Sequence, residues 1–326
     1  MKKLFRTVLR LLLILVLAGA AFLIVKPLTE THKKNQLELA NFSWMERIPD
    51  DTLISDVWIP GTHDSAAQYA ALPYFSKCQA SSIGTQLEDG FRYLDIRLGE
   101  KDGRLVFWHG FCLCRNGFLP WSGALELSSV LAECYDFLAK HPSETIVFAV
   151  KVEHGEGGEA FQKLLHNEID KDSAHWLLTD RIPTMGECRG KLVLMRRYED
   201  ALGLGAQAGI PMDWAGQGAN DDVSKNAAVE PQATYTLVVQ DRYKYGTDDK
   251  WNAFLAGLKA DSGNEPQLRL HFLSTNGTPA YGHPYTYAEE LNRRLLKESL
   301  AGYEPAWVIV DFSHYELAEH IRLMNR

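Results

Sequence analysis

The sequence lacks the excess of basic residues that nucleic-acid-binding proteins need. Its 34 lysines and arginines are outnumbered by 42 aspartates and glutamates, which gives a formal net charge of −8. Nucleic acids are bound largely through cationic contacts to their phosphates, so no nucleic-acid partner is expected. Internal repeats and low-complexity blocks are also missing. Hydrophobic residues make up 46% of the chain, which is typical of a globular protein.

Paired cysteine motifs of the kind that hold zinc are missing as well. No Cys-x-x-Cys pair occurs among the five cysteines. Cys112 and Cys114 are too close in sequence to bridge easily, and the odd total leaves at least one thiol outside an intramolecular disulfide. Buried thiols or disulfides are therefore expected, and no metal or cofactor is predicted. The cysteines are Cys78, Cys112, Cys114, Cys134 and Cys188.

Acidic residues are absent from the first 26 positions, where an uninterrupted apolar run at 11–25 follows a basic flank. This pattern is typical of an export signal or a membrane anchor. Ala18-Gly19-Ala20 offers a cleavage site, but the apolar run continues past it, which favours an uncleaved anchor. The positive-inside rule then places the rest of the chain outside the cytoplasm. We divide the chain into a signal-anchor or signal peptide at 1–28, a polar connector at 29–41 and one catalytic domain at 42–326.

Short β-rich segments alternate with amphipathic segments beyond the connector. This order favours an α/β barrel, in which polar residues near the strand ends line a shared mouth. A doubly wound sheet is the alternative, but no glycine-rich dinucleotide loop follows an early strand. Strands are predicted at 93–97, 105–108, 145–150, 191–195, 237–239 and 307–310, and helices at 125–140, 158–167, 250–258 and 287–300.

Three polar clusters lie near predicted strand ends. Pro60-Gly61 reads as a strand exit into His63 and Asp64, and His109 ends an apolar strand. Between these two, Asp95-Ile96-Arg97 places a carboxylate and a cation on one strand face. Each cluster also has a structural interpretation, as a turn, a cap or an ion pair.

Taken together, two histidines and an arginine suit the cleavage of a phosphodiester. One histidine can remove the proton of an attacking hydroxyl while the other protonates the leaving oxygen. The planar fork of an arginine can hold the phosphoryl oxygens, a task that a metal ion performs in other enzymes.

The order of these motifs resembles the phosphatidylinositol-specific phospholipases C that carry the X domain, especially the small bacterial enzymes. The resemblance covers roughly residues 48–325 and implies a single distorted, incompletely closed TIM-like barrel. It also implies cleavage of phosphatidylinositol, or its glycosylated form, to diacylglycerol and inositol 1,2-cyclic phosphate. The matching segments are 60–65, 94–97, 108–110, 141–147 with 151–153, 190–194 with 197–198, 239–243 and 309–312.

The same resemblance implies a role for each site residue. His63 would be the general base on the inositol 2-hydroxyl, oriented by Asp311. His109 would be the general acid for the diacylglycerol oxygen, helped by Asp64. Arg97 stands where calcium-dependent relatives place an acidic metal ligand, so no metal is expected here. The positions that would bind the inositol ring are Lys151, Arg197, Asp241 and Tyr243, with Glu153 a weaker candidate.

Structural interpretations stay open at the later positions. Arg197 could pair with Glu199 or Asp200, and Lys151 could form an ion pair with Glu153 on one strand face. The head group is also open, since an anchored enzyme could act on lipids of its own envelope.

Two other classes compete with this hypothesis. A glycerophosphodiester phosphodiesterase would carry a metal-ligating Glu-x-Asp where this chain has Asp95-Ile96-Arg97, and a non-catalytic lipid-binding barrel would be expected to lack one histidine. We therefore predict a metal-independent, extracytoplasmic phospholipase C whose partners are a phosphoinositide lipid and, through the N-terminal segment, a membrane. A secreted enzyme is the alternative, and the oligomeric state is open.

Overall fold

The computed structural model describes residues 2–30, 43–217, 227–261, 263, 266–277 and 282–325. Most of the polar connector predicted at 29–41 lies outside the described residues. The division of the chain into three segments stays a prediction.

Strands and helices alternate along the chain, as the sequence predicts. The strands are β1 (Ile59–Thr62), β2 (Tyr93–Lys101), β3 (Arg104–His109), β4 (Cys112–Leu113), β5 (Ile146–His154), β6 (Trp176–Leu177), β7 (Leu192–Arg197), β8 (Ile210–Pro211), β9 (Ala228–Pro231), β10 (Thr236–Gln240), β11 (Gln267–Phe272) and β12 (Trp307–Val310). The helices are α1 (Lys2–Val25), α2 (Pro73–Ser76), α3 (Ile83–Glu88), α4 (Leu127–Lys140), α5 (Gly158–Asp170), α6 (Met185–Cys188), α7 (Thr247–Lys259), α8 (Pro284–Leu295) and α9 (Tyr315–Arg322).

Every strand and helix predicted above is present, with bounds shifted by a few residues. Three details of the prediction are wrong. Pro60-Gly61 lies within β1 rather than at a strand exit. Asp95 and Arg97 lie in the middle of β2, which continues to Lys101. Helix α8 ends at Leu295, short of the predicted residue 300.

The strands form one curled sheet in the order β6-β7-β5-β2-β1-β12-β11-β10-β9. Neighbouring strands are parallel from β6 to β10, and β9 runs antiparallel to β10. The central strand β1 contains Gly61 because a Cβ there would lie 2.3 Å from the side chain of Ile309 and 2.9 Å from that of Tyr93. Close packing therefore dictates the glycine.

The sheet does not close through backbone pairing among the described residues. Strand β9 forms one edge, while β6 and β8 both pair with β7 at the other. Side-chain hydrogen bonds span this gap: the Gln232 amide donates to the Asp213 carbonyl at 2.9 Å. The fold prediction of a distorted, incompletely closed TIM-like α/β barrel is confirmed.

The core has an inner and an outer layer because alternate residues of a strand point to opposite faces. Val147 and Ala149 of β5 belong to an inner cluster shared with Tyr93 of β2 and Trp307 of β12. Phe148 of β5 belongs to an outer cluster that includes residues of α4. Strands buried on both faces are typical of a parallel sheet covered by helices.

Helix α1 stands apart from this core. The segment Phe5–Leu28 is long and apolar enough to cross a membrane, with a mean hydropathy of 2.9 and an 18-residue window that is not buried against the rest of the protein. Its length and composition fit an anchor and a signal sequence equally.

Candidate active site

Strand alternation brings the predicted site residues to one end of the barrel. Tyr93 points into the barrel, and the same face of β2 then presents Asp95 and Arg97. His63 directly follows β1 and lies two residues beyond Gly61, so it is on the same inner face. Asp311 directly follows β12 and lies two residues beyond Ile309, so it is on the inner face as well. In a parallel barrel this end of the strands forms the usual active-site face.

A single cavity of about 460 Å³ opens at this end. Every site residue predicted from the sequence lines it except Asp64, which is buried beside it with 3% exposure. The structure therefore brings the predicted residues together, and their chemical roles stay predictions. The predicted residues in the lining are His63, Arg97, His109, Lys151, Glu153, Arg197, Asp241, Tyr243 and Asp311.

His63 is held between an anion and a cation. Its Nδ1 lies 2.8 Å from the Asp311 carboxylate, and its Nε2 lies 2.8 Å from the Arg97 guanidinium. An arginine can only donate, so Nε2 must accept and Nδ1 must carry the proton given to Asp311. This is the neutral tautomer that a general base needs.

The surroundings of His63 favour proton uptake on balance. Burial opposes the charged imidazolium and so does Arg97, but Asp311 and Asp64 favour it. The net result is a pKa of His63 above its ordinary value. The Gln79 amide also donates to the His63 carbonyl at 2.8 Å, which fixes the backbone at the strand end.

Arg97 is surrounded by three carboxylates. Its Nε lies 2.9 Å from Asp95, and its Nη1 lies 3.2 Å from Asp64 and 3.4 Å from Glu153. Burial works against the charge, but these carboxylates raise the pKa of Arg97 well above its usual value. The guanidinium is therefore a permanent cation at the cavity wall, and its hydrogen bond to Asp95 holds it in place.

Asp64 lies just beyond β1 and does not follow the alternating side-chain directions of a strand, because its backbone has a positive φ of 44°. Its amide donates to the Asp95 carboxylate at 3.1 Å, which stabilises that turn. Its Oδ2 then lies 3.7 Å from Nε2 of His109. Burial raises the pKa of Asp64, with Arg97, His109 and His63 opposing the rise.

His109 ends β3 and faces His63 across the cavity. Its Nδ1 lies 2.8 Å from the Ser76 carbonyl, which can only accept, so Nδ1 carries a proton. Its Nε2 therefore points toward Asp64 and the cavity. The centroids of the His63 and His109 rings are 6.3 Å apart, with the rings nearly perpendicular. Two imidazoles thus flank one space.

Trp214 joins two of the predicted ring-binding residues. The Arg197 guanidinium lies 3.5 Å from the centre of the Trp214 ring, and the indole Nε1 donates to Asp241 at 3.2 Å. Sequence reasoning missed Trp214, because it lies on a loop with no strand or helix periodicity. Both Arg197 and Trp214 line the cavity.

The structural alternatives at the later positions have different outcomes. Asp200 accepts hydrogen bonds from Gln162 and from two backbone amides, and no ion pair to Arg197 is present among the described residues. Lys151 does lie 2.5 Å from Glu153. The same Glu153 carboxylate accepts a hydrogen bond from the Gly110 amide at 3.0 Å, and Gly110 directly follows His109.

All five cysteines are buried free thiols. The expectation of buried thiols is therefore met, and no disulfide forms. Cys78 lines the cavity, with its Sγ 3.7 Å from Nδ1 of His109. Its sulfur is grouped with His109 and Asp64, a set that could hold a metal ion. The Arg97 guanidinium, 3.2 Å from Asp64, opposes a divalent cation there.

Comparison with known proteins gives one family. Residues 54–198 match the model of the phosphatidylinositol-specific phospholipase C X domain. The chain is similar to the 1-phosphatidylinositol phosphodiesterase of Staphylococcus aureus (strain NCTC 8325 / PS 47), with 26% identity over 97% of this chain and 95% of the relative. It is 32% identical to the enzyme of the same name from Listeria monocytogenes, over 47% of each chain. The resemblance predicted from the motifs is confirmed.

Solved structures show the same fold. A structure of the phosphatidylinositol-specific phospholipase C of S. aureus has a TM-score of 0.70 at 24% identity, over 87% of this chain and 97% of that one. That of the L. monocytogenes enzyme has a TM-score of 0.62 at 23% identity, over 88% of this chain and 99% of that one.

Proposed function

The chain matches the phosphatidylinositol-specific phospholipase C X-domain family over residues 54–198, and from this premise we propose that it cleaves phosphatidylinositol, or its glycosylated form, by His/His acid-base catalysis. Enzymes of this kind break phosphoric diester bonds. The observation that carries the proposal is the position of His63, held between Asp311 and Arg97 and facing His109 across one cavity.

His63 acts first in the proposed reaction. Its Nε2 takes the proton of the inositol 2-hydroxyl, whose oxygen attacks the neighbouring phosphorus. The proton that His63 already shares with Asp311 stays on Nδ1, so the carboxylate stabilises the imidazolium that forms. Because nucleophile and phosphorus belong to one molecule, the step gains the advantage of an intramolecular reaction.

His109 completes the step from the other side. The bond from phosphorus to the diacylglycerol oxygen breaks, and Nε2 of His109 gives that oxygen a proton. The Asp64 carboxylate lies 3.7 Å from this nitrogen, where it can orient the N–H that is transferred. The products are diacylglycerol and inositol 1,2-cyclic phosphate, with one proton gained by His63 and one lost by His109.

Arg97 stabilises the charge that develops on the phosphoryl oxygens. Its Nη2 donates to the single lone pair of His63 Nε2, so the incoming 2-hydroxyl takes this place and frees Nη2 for a phosphoryl oxygen of the attacked phosphorus. A fixed, planar cation supplies this stabilisation without a metal ion.

The inositol ring would lie toward Arg197, Lys151 and Asp241. The Arg197 guanidinium is stacked on Trp214 and makes no ion pair among the described residues, which leaves its donors for ring hydroxyls. Asp241 offers a carboxylate to the same ring, and Tyr243 lies at the exposed mouth of the cavity.

We also propose that α1 anchors the enzyme and that the barrel lies outside the cytoplasm. Its exposed apolar surface supports a membrane-bound helix. Its end is held against the barrel: Lys77 donates to the Pro27 carbonyl at 2.7 Å, and Phe22 lies 5.9 Å from Tyr74 between ring centres.

The full-length protein in mixed detergent micelles tests the substrate class. We expect diacylglycerol to be released from phosphatidylinositol and not from phosphatidylcholine, whose head group has no hydroxyl placed to attack the phosphorus. Equal release from both lipids, or release from neither, would contradict the proposal.

A further inference from the structure

An apolar groove runs between the end of α1 and helix α2. Its volume is about 420 Å³, within the usual range of small-molecule sites. A 3-10 turn at Lys26–Leu28 follows α1 and forms part of one wall. The residues that enclose the groove include Ile24, Pro27, Leu28, Leu72, Phe75 and Phe118.

The polar side chains at the groove are mostly engaged elsewhere. The Gln68 amide donates to the Ala80 carbonyl at 3.1 Å. The Lys77 ammonium donates to the carbonyls of Pro27 at 2.7 Å and Glu30 at 3.1 Å. Among the described residues of the lining, Arg115 is the one further charged group. The interior therefore suits a hydrocarbon chain and has no set of donors for an inositol ring.

The groove begins where the reaction would release its apolar product. Phe75 lines the groove, and the next residue, Ser76, accepts the hydrogen bond from Nδ1 of His109. Lys77 lines the groove, whereas Cys78 lines the catalytic cavity. One short segment of chain thus separates the two spaces, beside the imidazole proposed to protonate the diacylglycerol oxygen.

Polar contacts fix the α1 end of the groove to the barrel. The buried Glu30 carboxylate forms a hydrogen bond with Nε2 of His283, and Nδ1 of His283 donates to the Tyr74 carbonyl at 2.6 Å. The rings of His283 and Tyr74 are stacked with centroids 4.3 Å apart. His283 immediately precedes Pro284, which lines the catalytic cavity. The segment that leaves α1 is therefore tied to the rim of the site.

We propose that this groove binds one acyl chain of the lipid whose head group occupies the catalytic cavity. The inference rests on the proposed function and adds to it the place of the diacylglycerol part. Because α1 forms one wall, the groove opens beside the membrane-spanning segment, and the chain enters from the membrane that holds the enzyme. The substrate is thus a long-chain lipid of the enzyme's own membrane.

Two substitutions that narrow the groove test this proposal in the full-length protein, in non-ionic detergent micelles. Leu28→Trp acts from the exposed wall and Ala70→Phe from the buried wall. Val229→Trp on β9 is a matched control, because Val229 is 45% exposed and Leu28 is 46% exposed. Each variant is assayed with dioleoyl- and dibutyroyl-phosphatidylinositol, and its melting temperature is compared with the wild type.

We expect each groove variant to lower kcat/KM for the dioleoyl lipid about tenfold, the effect of losing roughly two buried methylene groups. The dibutyroyl lipid, whose chains barely enter the groove, should change less than about twofold, and the control should leave both substrates unchanged. Equal effects on the two lipids, or no effect on either, would overturn the groove assignment. Absence of wild-type activity on both lipids would instead overturn the proposed function.

Photolabelling supplies a readout that does not depend on turnover or on the folding of a variant. A phosphatidylinositol with a diazirine near the end of an acyl chain should label residues 68–75 of the wild-type protein. Labelling confined to the outward surface of α1 would place the acyl chain in the bilayer and contradict the proposal.

Discussion

Nε2 of His63 lies 2.8 Å from Nη2 of Arg97, so the base and the phosphate-binding cation of the proposed mechanism are in direct contact. This contact fixes which ring nitrogen has a lone pair, and it places the proton acceptor and the charge stabiliser within one hydrogen bond of each other. A phosphodiester that enters must meet both groups at once.

The first prediction concerns the two histidines. His63→Ala and His109→Ala should each lower turnover of phosphatidylinositol by about 10²–10⁴-fold, the usual contribution of a positioned acid or base. His166→Ala on α5 is the matched control and should retain activity. Melting temperatures should stay close to the wild type. Full activity in either site variant would remove that histidine from the mechanism.

The pH profile tests the role given to His63. The base must be neutral to accept a proton, so activity falls as the pH drops through its pKa. Although burial and Arg97 lower the pKa of His63, Asp311 and Asp64 raise it above the ordinary value. The acid limb of kcat/KM should therefore lie above about pH 6.5, the value for an unperturbed histidine.

Asp311→Asn should move that limb to lower pH, because it removes the carboxylate that favours the imidazolium, and should lower the maximal rate as well. Asp136→Asn on the surface of α4 serves as the control and should leave the profile unchanged. An acid limb that stays in place in Asp311→Asn would argue against His63 as the titrating base.

Metal independence follows from Arg97. In the proposed mechanism its guanidinium supplies the positive charge at the phosphate, so the wild-type protein should keep its activity in EGTA. Arg97→Lys keeps the charge but loses the planar fork, and we expect turnover to fall by about 10²–10³-fold. Activity that EGTA abolishes and calcium restores would reassign Arg97 and place the chain with the metal-dependent relatives.

A stability prediction concerns Glu144, in a segment that carries the family resemblance. Its carboxylate lies 2.9 Å from Nε of Arg92, and both side chains have 0% exposure. Glu144→Ala removes the carboxylate that neutralises a buried cation, so the free energy of unfolding should fall by about 3–5 kcal/mol. Removing the exposed Lys140–Asp136 pair by Asp136→Ala should lower the free energy of unfolding far less, because solvent screens this pair. Chemical denaturation measures both, and equal effects would contradict the buried-pair interpretation.

The anchor hypothesis predicts fractionation with membranes. Full-length protein should stay in the membrane fraction at high salt, because apolar insertion of α1 is not screened by ions. Quantitative release by salt, or a mature N-terminus near Ala21, would contradict an uncleaved anchor.

Much of the site could be predicted because the alternation of side chains between the two faces of a strand depends only on neighbouring positions in the sequence. Asp95 and Arg97 are two residues apart on one strand, so their shared face follows from the sequence alone. His63 and Asp311 are separated by 248 positions. Motif order identifies them, but only the pairing of β1 with β12 shows that they touch.

Other features depend on long-range packing that sequence patterns do not reveal. Strand β11 carries Gln267, Arg269 and His271, whose polar side chains hide its strand character although all three are buried. Trp214 reaches the site from an irregular loop. Pro60 reads as a strand exit, but Gly61 lets β1 continue between close neighbours.

Phosphorus NMR of the full-length protein with phosphatidylinositol micelles tests the central claim most directly, because it reports which oxygen attacks the phosphorus. Attack by the inositol 2-hydroxyl, with His63 as base, predicts that the resonance of inositol 1,2-cyclic phosphate appears first. A linear monophosphate as the only product from the earliest times would show that water attacks directly, and would contradict the mechanism.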